Sequence, residues 1–365
     1  MPKRMGVADL PLHYGRAPRW LFNRMVPLAR EIVRLIIEEY SPCEVLRRLS
    51  DPFWFQAFGC VLGFDWHSSG LTTTTTGALK LALKEAGREW GLFVAGGKGR
   101  TSRSTPLEIE NVAESTGFDP KPLVRASRLS AKVDSSALQD GYQVYHHCFI
   151  FTPEGKWAVV QQGMNEETGY ARRYHWLALD SIDFVNEPHS GIATQKRGWA
   201  LNLVAGESEQ ARKISAELAN ERPEKLVKQI RRLKGFKLPR RHYVLLQDID
   251  ERRLEGIFLR TYERAPKDFV ELLGIKGVGA KTLRALALVA ELIYGAELSF
   301  RDPARFSFAH GGKDGHPYPV DRELYDGTIA FLEGVVSKAK VDESDRKRAL
   351  KRLAHWRKNE VFGVT

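Results

Sequence analysis

Residues 20–50 carry apolar side chains at every third or fourth position, which is the spacing of an amphipathic helix. Ser41 and Pro42 interrupt this spacing, so the segment is predicted to form a helical hairpin. An aromatic-rich segment, residues 52–62, follows and is expected to be buried. A run of threonines at residues 72–76 comes next, and β-branched hydroxyl residues in succession predict a strand or a phosphate-facing loop.

The apolar spacing shortens towards two in residues 91–199, which is the period of a β-strand. Residues 143–151 and 157–162 are the clearest segments of this kind. The Pro-Glu-Gly sequence at residues 153–155 supplies turn residues between them, so the pair is predicted to form a β-hairpin.

Helical spacing resumes beyond residue 206. Ser208 is the expected N-cap of the first helix there, and Pro223 marks a break between two helices. The charge changes at the same place, because residues 209–260 hold 14 Lys plus Arg against 8 Asp plus Glu. A domain boundary is therefore predicted near residues 205–208.

The chain of 365 residues is longer than one hydrophobic core usually fills. We therefore predict an α+β protein of two domains. Residues 1–205 would form a mixed α/β domain with a nucleic-acid surface. Residues 206–365 would form an all-helical domain that contains a helix-hairpin-helix.

The formal net charge is +11 and the sequence pI is about 9.5. Lys and Arg placed at phosphates release condensed counterions, so this charge predicts a polyanionic partner; a basic soluble protein without one is the alternative. Cys43, Cys60 and Cys148 are too widely spaced for a disulfide framework or a paired-thiol metal site. The sequence has no apolar run of membrane-span length and no recognisable signal peptide. We therefore expect a cytoplasmic, nucleoid-associated protein with no membrane partner.

The strongest local pattern lies at residues 268–286, where two short helical segments flank Gly277, Val278 and Gly279. Two glycines around one apolar residue let the backbone approach a phosphate closely, while Val278 would anchor the turn between the helices. The second helix would then present free amides to that phosphate, a contact that positions a protein on DNA without reading its sequence. The residues expected to contact the DNA backbone here are Lys276, Gly277, Val278, Gly279 and Thr282.

Two alternatives to DNA binding exist for this turn. A nucleotide phosphate loop is excluded, because Ala280 stands between Gly279 and Lys281, where that loop requires adjacent Gly and Lys. A glycine-rich turn between helices that binds nothing remains the second alternative.

The segment Gly277-Val278-Gly279-Ala280-Lys281-Thr282 resembles the turn of the helix-hairpin-helix DNA glycosylase superfamily, which includes endonuclease III and the oxoguanine glycosylases. Pro319-Val320-Asp321 is similar to the segment that carries the essential aspartate of that superfamily. The resemblance covers residues 250–333. It implies a DNA repair enzyme, a DNA glycosylase with lyase activity, in which Lys281 is the catalytic nucleophile and Asp321 its electrostatic partner.

The chemistry of base removal explains why such a pair would matter. Loss of a base leaves an oxocarbenium-like sugar, so Asp321 would stabilise the developing charge while Lys281 attacks the anomeric carbon. A lysine in a partly desolvated site among other cations is nucleophilic near neutral pH. The Schiff base would then permit β-elimination, with no metal and no cofactor. The resemblance also implies double-stranded DNA with a damaged base as partner, an oxidised pyrimidine or oxoguanine, flipped out of the stack.

Several features depart from the superfamily. Lys281 and Asp321 are 40 residues apart, a longer separation than usual, because residues 306–316 are inserted. This insertion is either a lesion-pocket loop or a sign that Asp321 is only a helix N-cap. Leu283 replaces an alanine, and the four-cysteine iron–sulfur motif of endonuclease III is absent. Purely structural hairpins with the same pattern use their lysine only to contact a phosphate.

The N-terminal half supplies further candidate DNA contacts. A glycine-rich loop with the cations Lys98, Arg100 and Arg103 would wrap a phosphate, or form a solvated basic turn. Arg172 and Arg173 would hold phosphates on a surface where aromatic residues stack bases, or this region would be ordinary hydrogen-bonded structure. Those aromatic residues are Tyr142, Tyr174 and Trp176.

Two other functions stay open at this point. One is a metal-dependent nuclease in the N-terminal domain, with Asp134, Asp140 and histidines as ligands and the hairpin as a DNA clamp. His146 and His147, if they lie on one strand, point to opposite faces and cannot easily share a metal. The other is a DNA-binding protein without catalysis.

Residues 6–14 and 65–70, together with the later polar strands, resemble a family of archaeal and thermophilic bacterial proteins. This resemblance covers nearly the whole chain. It implies no activity.

Overall fold

The computed structural model describes residues 17–64, 70–194, 197–234, 250–304 and 322–361. The α-helices are α1 (Arg19–Glu39), α2 (Pro42–Ser50), α3 (Pro52–Leu62), α4 (Gly70–Trp90), α5 (Arg100–Arg103), α6 (Thr105–Thr116), α7 (Lys121–Lys132), α8 (Glu209–Leu218), α9 (Pro223–Lys234), α10 (Glu251–Arg264), α11 (Phe269–Gly274), α12 (Ala280–Tyr294), α13 (Arg322–Lys338) and α14 (Glu343–Val361). The strands are β1 (Phe93–Lys98), β2 (Leu138–Gln139), β3 (Gln143–Phe151), β4 (Trp157–Asn165), β5 (Tyr170–Ala178), β6 (His189–Thr194), β7 (Trp199–Asn202) and β8 (Ser299–Arg301). A π-helical turn (Val133–Ala137) follows α7, and a 3-10 turn (Gly206–Ser208) precedes α8.

The main sheet has five antiparallel strands in the order β1-β3-β4-β5-β6. The predicted hairpin of β3 and β4 is confirmed, with Phe149 opposite Val159. A second sheet has the order β2-β7-β8. Because β8 pairs with β7, the prediction that the C-terminal part is all-helical is wrong for residues 299–301.

Helices cover both faces of the main sheet. Helices α2 to α4 pack on the face that carries Cys148, Ile150 and Val160, and α1, α13 and α14 belong to the same apolar core. Helices α6 and α7 pack on the opposite face, around Phe149 and Trp176, and α8 to α12 extend that core. The mixed α+β class is confirmed. Each of the two cores contains residues from both sides of residue 205. The domain boundary near that residue stays a prediction.

The threonine run forms part of helix α4, so the prediction of a strand or loop is wrong. The Thr76 hydroxyl donates to the carbonyl oxygen of Thr72 at 2.8 Å, and the Thr73 hydroxyl donates to that of Gly70 at 3.2 Å. These bonds satisfy the hydroxyls inside a helix. Thr72, Thr75 and Thr76 are buried at helical spacing, so packing against the sheet overrides the intrinsic preference of threonine for strands.

Other boundaries follow the sequence pattern more closely. Helices α1 and α2 form the predicted pair on either side of Ser41, and α9 begins at Pro223. Ser208 lies at the N-cap of α8, but its hydroxyl donates to the Asn202 carbonyl oxygen at 2.8 Å and does not cap the helix. Helices α6 and α7 interrupt the region that was predicted to be mainly strand. No helix in the described ranges is long and apolar enough to cross a membrane.

Candidate nucleic-acid interface

Residues 275–279 join helices α11 and α12 in a tight turn; the assignment of this turn to the helix-hairpin-helix motif stays a prediction. The amide of Val278 donates to the Ile275 carbonyl oxygen at 3.1 Å and closes the turn. The Val278 side chain is fully buried in the core that lines the sheet. The buried side chain of Val278 therefore anchors the turn in the apolar core, as the sequence predicted.

Different physical features explain why glycine occurs at each of the two glycine positions of the turn. Gly277 has a φ of +97°, a conformation that favours glycine, and a Cβ there would lie 2.7 Å from a guanidinium nitrogen of Arg260 on α10. Gly279 has extended backbone as the N-cap of α12, and a Cβ there would meet nothing within 4 Å. Gly279 therefore leaves open space in front of the first turn of α12.

The N-terminus of α12 faces this open space. No side chain in the described ranges caps it, so its first amides keep free hydrogens and the positive end of the helix dipole. Lys276 and Lys281 are exposed beside them. Thr282, which was predicted to contact DNA, has a buried side chain, so only its backbone amide is available for such a contact.

Gln139 fixes α12 to the smaller sheet. Its side-chain amide donates to the carbonyl oxygens of Ser136 at 3.0 Å and of Ala280 at 2.9 Å. Its side-chain oxygen accepts from Nε of Arg284 at 2.8 Å. The position of the first turn of α12 is therefore set by a residue 141 positions away in the chain, a contact that sequence reasoning missed.

The predicted catalytic pair is only partly placed. Lys281 is the second residue of α12 and is exposed to solvent, so the partly desolvated environment expected for a nucleophilic lysine is not present around it in the described ranges. Asp321 and the inserted residues 306–316 lie outside the described residues. The pairing of Lys281 with Asp321 stays a prediction.

The glycine-rich loop after β1 uses part of its backbone within the protein. The amide of Gly96 donates to a Glu108 carboxylate oxygen at 2.9 Å, and the amide of Gly99 donates to the Tyr145 carbonyl oxygen at 2.8 Å. These two amides are therefore not available to a phosphate. The exposed cations of this loop are Lys98, Arg100 and Arg103.

Arg172 of β5 is buried, so its predicted role in holding a phosphate on the surface is wrong. Its guanidinium donates to Asp140 at 2.7 Å and to Asp302 at 2.6 Å, and each side chain is at most 4% exposed. The ring of Tyr142 lies 4.5 Å from the guanidinium carbon. Burial opposes the charge, but the two carboxylates outweigh it and raise the pKa of Arg172. Arg172 joins the two sheets.

Arg173 is also buried, and the same correction applies to it. Its side chain points to the other face, where it donates to the Gln56 side-chain oxygen at 3.0 Å and to Nε2 of His175 at 2.8 Å. Burial lowers the pKa of Arg173 to about 9. Tyr174 and Trp176, which were predicted to stack bases, are fully buried, so β5 is a core strand and not a nucleic-acid surface.

A carboxylate in the core organises one face of the sheet. Asp134, on the π-helical turn, accepts from the Gln161 amide at 2.5 Å, from the Trp176 indole at 2.9 Å and from Nε2 of His189 at 2.5 Å. Among the described residues no cluster of His, Cys, Asp and Glu could hold a metal ion. The three hydrogen bonds to Asp134 make it an acceptor in the core.

His147 extends this network. The Gln161 oxygen can only accept, so Nδ1 of His147 carries a proton and donates to it at 2.9 Å. Nε2 then accepts from the Ser127 hydroxyl at 2.9 Å. Burial lowers the pKa of His147. The neutral ring is satisfied at both nitrogens.

His146 points to the opposite face, as predicted for neighbours on a strand. The Thr76 hydroxyl already donates to Thr72, so it accepts from Nε2 of His146 at 3.0 Å. Nδ1 of His146 is buried and has no hydrogen-bond partner among the residues that the structure describes. Burial lowers the pKa of His146 to about 3, and the positive charge of Lys98 contributes in the same direction.

Comparison with known proteins adds one finding. A family described as protein of unknown function (DUF763) matches residues 6–320. The chain belongs to the DUF763 family. The DUF763 match includes the main sheet and the hairpin, and it ends one residue before Asp321. No curated protein and no solved structure matches the chain.

Proposed function

We propose that this DUF763 protein binds the sugar–phosphate backbone of double-stranded DNA through the turn between α11 and α12. One observation carries the proposal: the uncapped amides of α12 face open space beside Gly279, with Lys276 and Lys281 exposed next to them. A helix N-terminus with flanking cations is suited to a phosphate.

The chemistry of the turn favours backbone contact over sequence reading. Its donors are main-chain amides and lysine ammonium groups, which bind phosphate oxygens irrespective of the base. The apolar residue of the turn, Val278, is buried and unavailable to bases. The net charge of +11 adds a long-range attraction to any polyanion.

The test is an equilibrium titration of an undamaged labelled duplex. Lys276→Ala/Lys281→Ala is expected to lower the affinity about tenfold or more without changing the melting temperature, because both side chains are exposed. The matched control is Lys84→Ala/Lys351→Ala, which removes two exposed lysines from α4 and α14 on the other side of the sheet. Equal affinity of the hairpin variant and the wild type would refute the proposal.

A second candidate function is excision of an oxidised base at the same site. Lys281 lies beside the amides proposed to hold a phosphate, and this candidate requires its amine to reach the deoxyribose attached to that phosphate. In this scheme the amine bonds to C1′ as the bond from C1′ to the base breaks, and the base leaves with a proton. The C1′–O4′ bond then opens, O4′ takes a proton and an imine forms between C1′ and Lys281. Loss of a proton from C2′ finally breaks the C3′–O bond and expels the 3′ phosphate. Asp321 is the predicted stabiliser of the sugar cation.

Borohydride trapping tests this second candidate. Wild type, Lys281→Ala and the control Lys276→Ala are incubated in EDTA with duplexes that carry oxidised bases. A covalent adduct in the wild type and in Lys276→Ala, but not in Lys281→Ala, is expected. Absence of an adduct with every duplex would favour DNA binding without catalysis. Strand cleavage that occurs without EDTA and is lost in EDTA would instead favour a metal-dependent nuclease.

A further inference from the structure

Helix α10 carries a glycine that is surrounded by arginines. The residues one turn away from Gly256 on the helix surface lie three or four positions before and after it. They are Arg252, Arg253, Leu259 and Arg260. Gly256 and the three arginines are exposed, so they form a continuous basic surface, which we call the Gly256 patch.

The fold itself gives no reason for glycine at position 256. It lies in the interior of α10, its φ is not positive, and a Cβ there would meet nothing within 4 Å. Glycine in a helix interior costs about 0.5–1 kcal/mol relative to alanine. Gly256 is therefore a cost to the helix that no contact within the described protein offsets.

The Gly256 patch adjoins the hairpin. The guanidinium of Arg260 lies against Gly277, 2.7 Å from where a Cβ would be. Arg253 and Arg260 are seven residues apart, or about 10 Å along the helix axis. None of the three arginines forms an ion pair with a carboxylate in the described ranges. One surface thus runs from the amides of α12, past Arg260, to the bare backbone at Gly256.

We propose that the Gly256 patch is a second contact for the backbone of duplex DNA, next to the hairpin. A helix without a side chain at position 256 lets a sugar–phosphate strand approach closely, and guanidinium groups on either side match phosphate oxygens in a bidentate manner. None of the four neighbours of Gly256 is aromatic, so the patch lacks a platform for stacking unpaired bases. This inference rests on the proposed function of the hairpin.

Replacement of Gly256 by leucine tests the patch. Gly256→Leu fills the close-approach space and improves helix propensity, so the melting temperature is expected to stay equal or rise while duplex affinity falls about tenfold. Gly334→Leu is the matched control: Gly334 is also an exposed helical glycine with open space at its Cβ, but it has no arginines one turn away. This control is expected to leave duplex affinity unchanged.

The outcomes separate the patch from the hairpin. Wild-type affinity in Gly256→Leu, together with weakened binding in Lys276→Ala/Lys281→Ala, would overturn the patch and leave the hairpin in place. Weak binding in both supports both contacts. Absence of duplex binding by the wild type would overturn both proposals, and an equal loss in Gly334→Leu would overturn the patch. A further supporting result is Arg260→Gln with a salt dependence of log affinity that is smaller by about one unit.

Discussion

The sequence predicts that the cations of β5 and those of the hairpin both contact DNA phosphates, but the structure places the two sets in different environments. Arg172 and Arg173 lie in the core and are bound by carboxylate, amide and imidazole groups. Lys276 and Lys281 are exposed beside free main-chain amides. A basic residue next to aromatic residues is therefore no sign of nucleic-acid binding until its exposure and partners are known.

The difference has an energetic consequence. Removal of one member of a buried ion pair leaves an uncompensated charge in the core, whereas removal of an exposed lysine changes stability little. Stability and DNA affinity should consequently respond to different sets of cations.

Arg172→Met is expected to have the largest effect on stability. It leaves Asp140 and Asp302 without their guanidinium partner, which should cost about 3–5 kcal/mol of unfolding free energy. Urea denaturation measures this loss, with Arg128→Met, an exposed arginine on α7, as the control. A loss below about 1 kcal/mol would show that the pair is solvated, and the contrast with the hairpin would fail.

Acidification should weaken the core and not the hairpin. The pKa of His146 is about 3 in the folded protein and about 6.5 when unfolded, so the unfolded state binds more protons between these values. Its contribution to stability is complete above about pH 6.5 and falls with pH by at most about 1.4 kcal/mol per unit. His146→Leu should make the pH dependence of urea unfolding shallower from about pH 6.5 to about pH 5. An unchanged slope would contradict the burial of this ring.

Gly277→Ala should combine a stability loss with a binding loss. Its φ of +97° opposes a side chain, which predicts a loss of about 1–2 kcal/mol, whereas the exposed guanidinium of Arg260 can move aside at little cost. Gly279→Ala is the comparison, because its backbone is extended and open, so its stability should change by less. Thermal unfolding of the two variants checks this, and equal losses would be inconsistent with the described turn.

Lys276→Ala should have the smallest of these effects, and the effect should be confined to DNA binding. The variant is expected to unfold like the wild type, while the slope of log affinity against log salt decreases by about 0.9, the value for one lost phosphate contact. Titrations at several salt concentrations measure the slope. A stability change without a slope change would place Lys276 with the structural cations of β5.

The hairpin was predictable from sequence because its physics is local. Two glycines, a buried valine and a following helix lie within a few residues, so the pattern contains its own explanation. The Gly256 patch is local as well, since helical spacing alone brings Arg252, Arg253 and Arg260 around one glycine. Sequence reasoning overlooked it because an exposed glycine becomes informative only once its surroundings are known to be empty.

The core network was not predictable in the same way. Asp134 accepts hydrogen bonds from Trp176 and His189, which are 42 and 55 positions away. The residues near Asp134 in the sequence do not indicate these partners. The threonines of α4 show the same limit, because packing on the sheet decided their conformation.

Hydrogen–deuterium exchange with and without a short undamaged duplex tests the central claim most directly, because it reads the main-chain amides that are proposed to bind phosphate. If the hairpin binds the duplex, the duplex should slow exchange at residues 276–283. It should not change exchange in β5 or in the exposed part of helix α4 around Lys84. Protection elsewhere with unchanged exchange at residues 276–283 would contradict the assignment of the hairpin as the DNA-binding element.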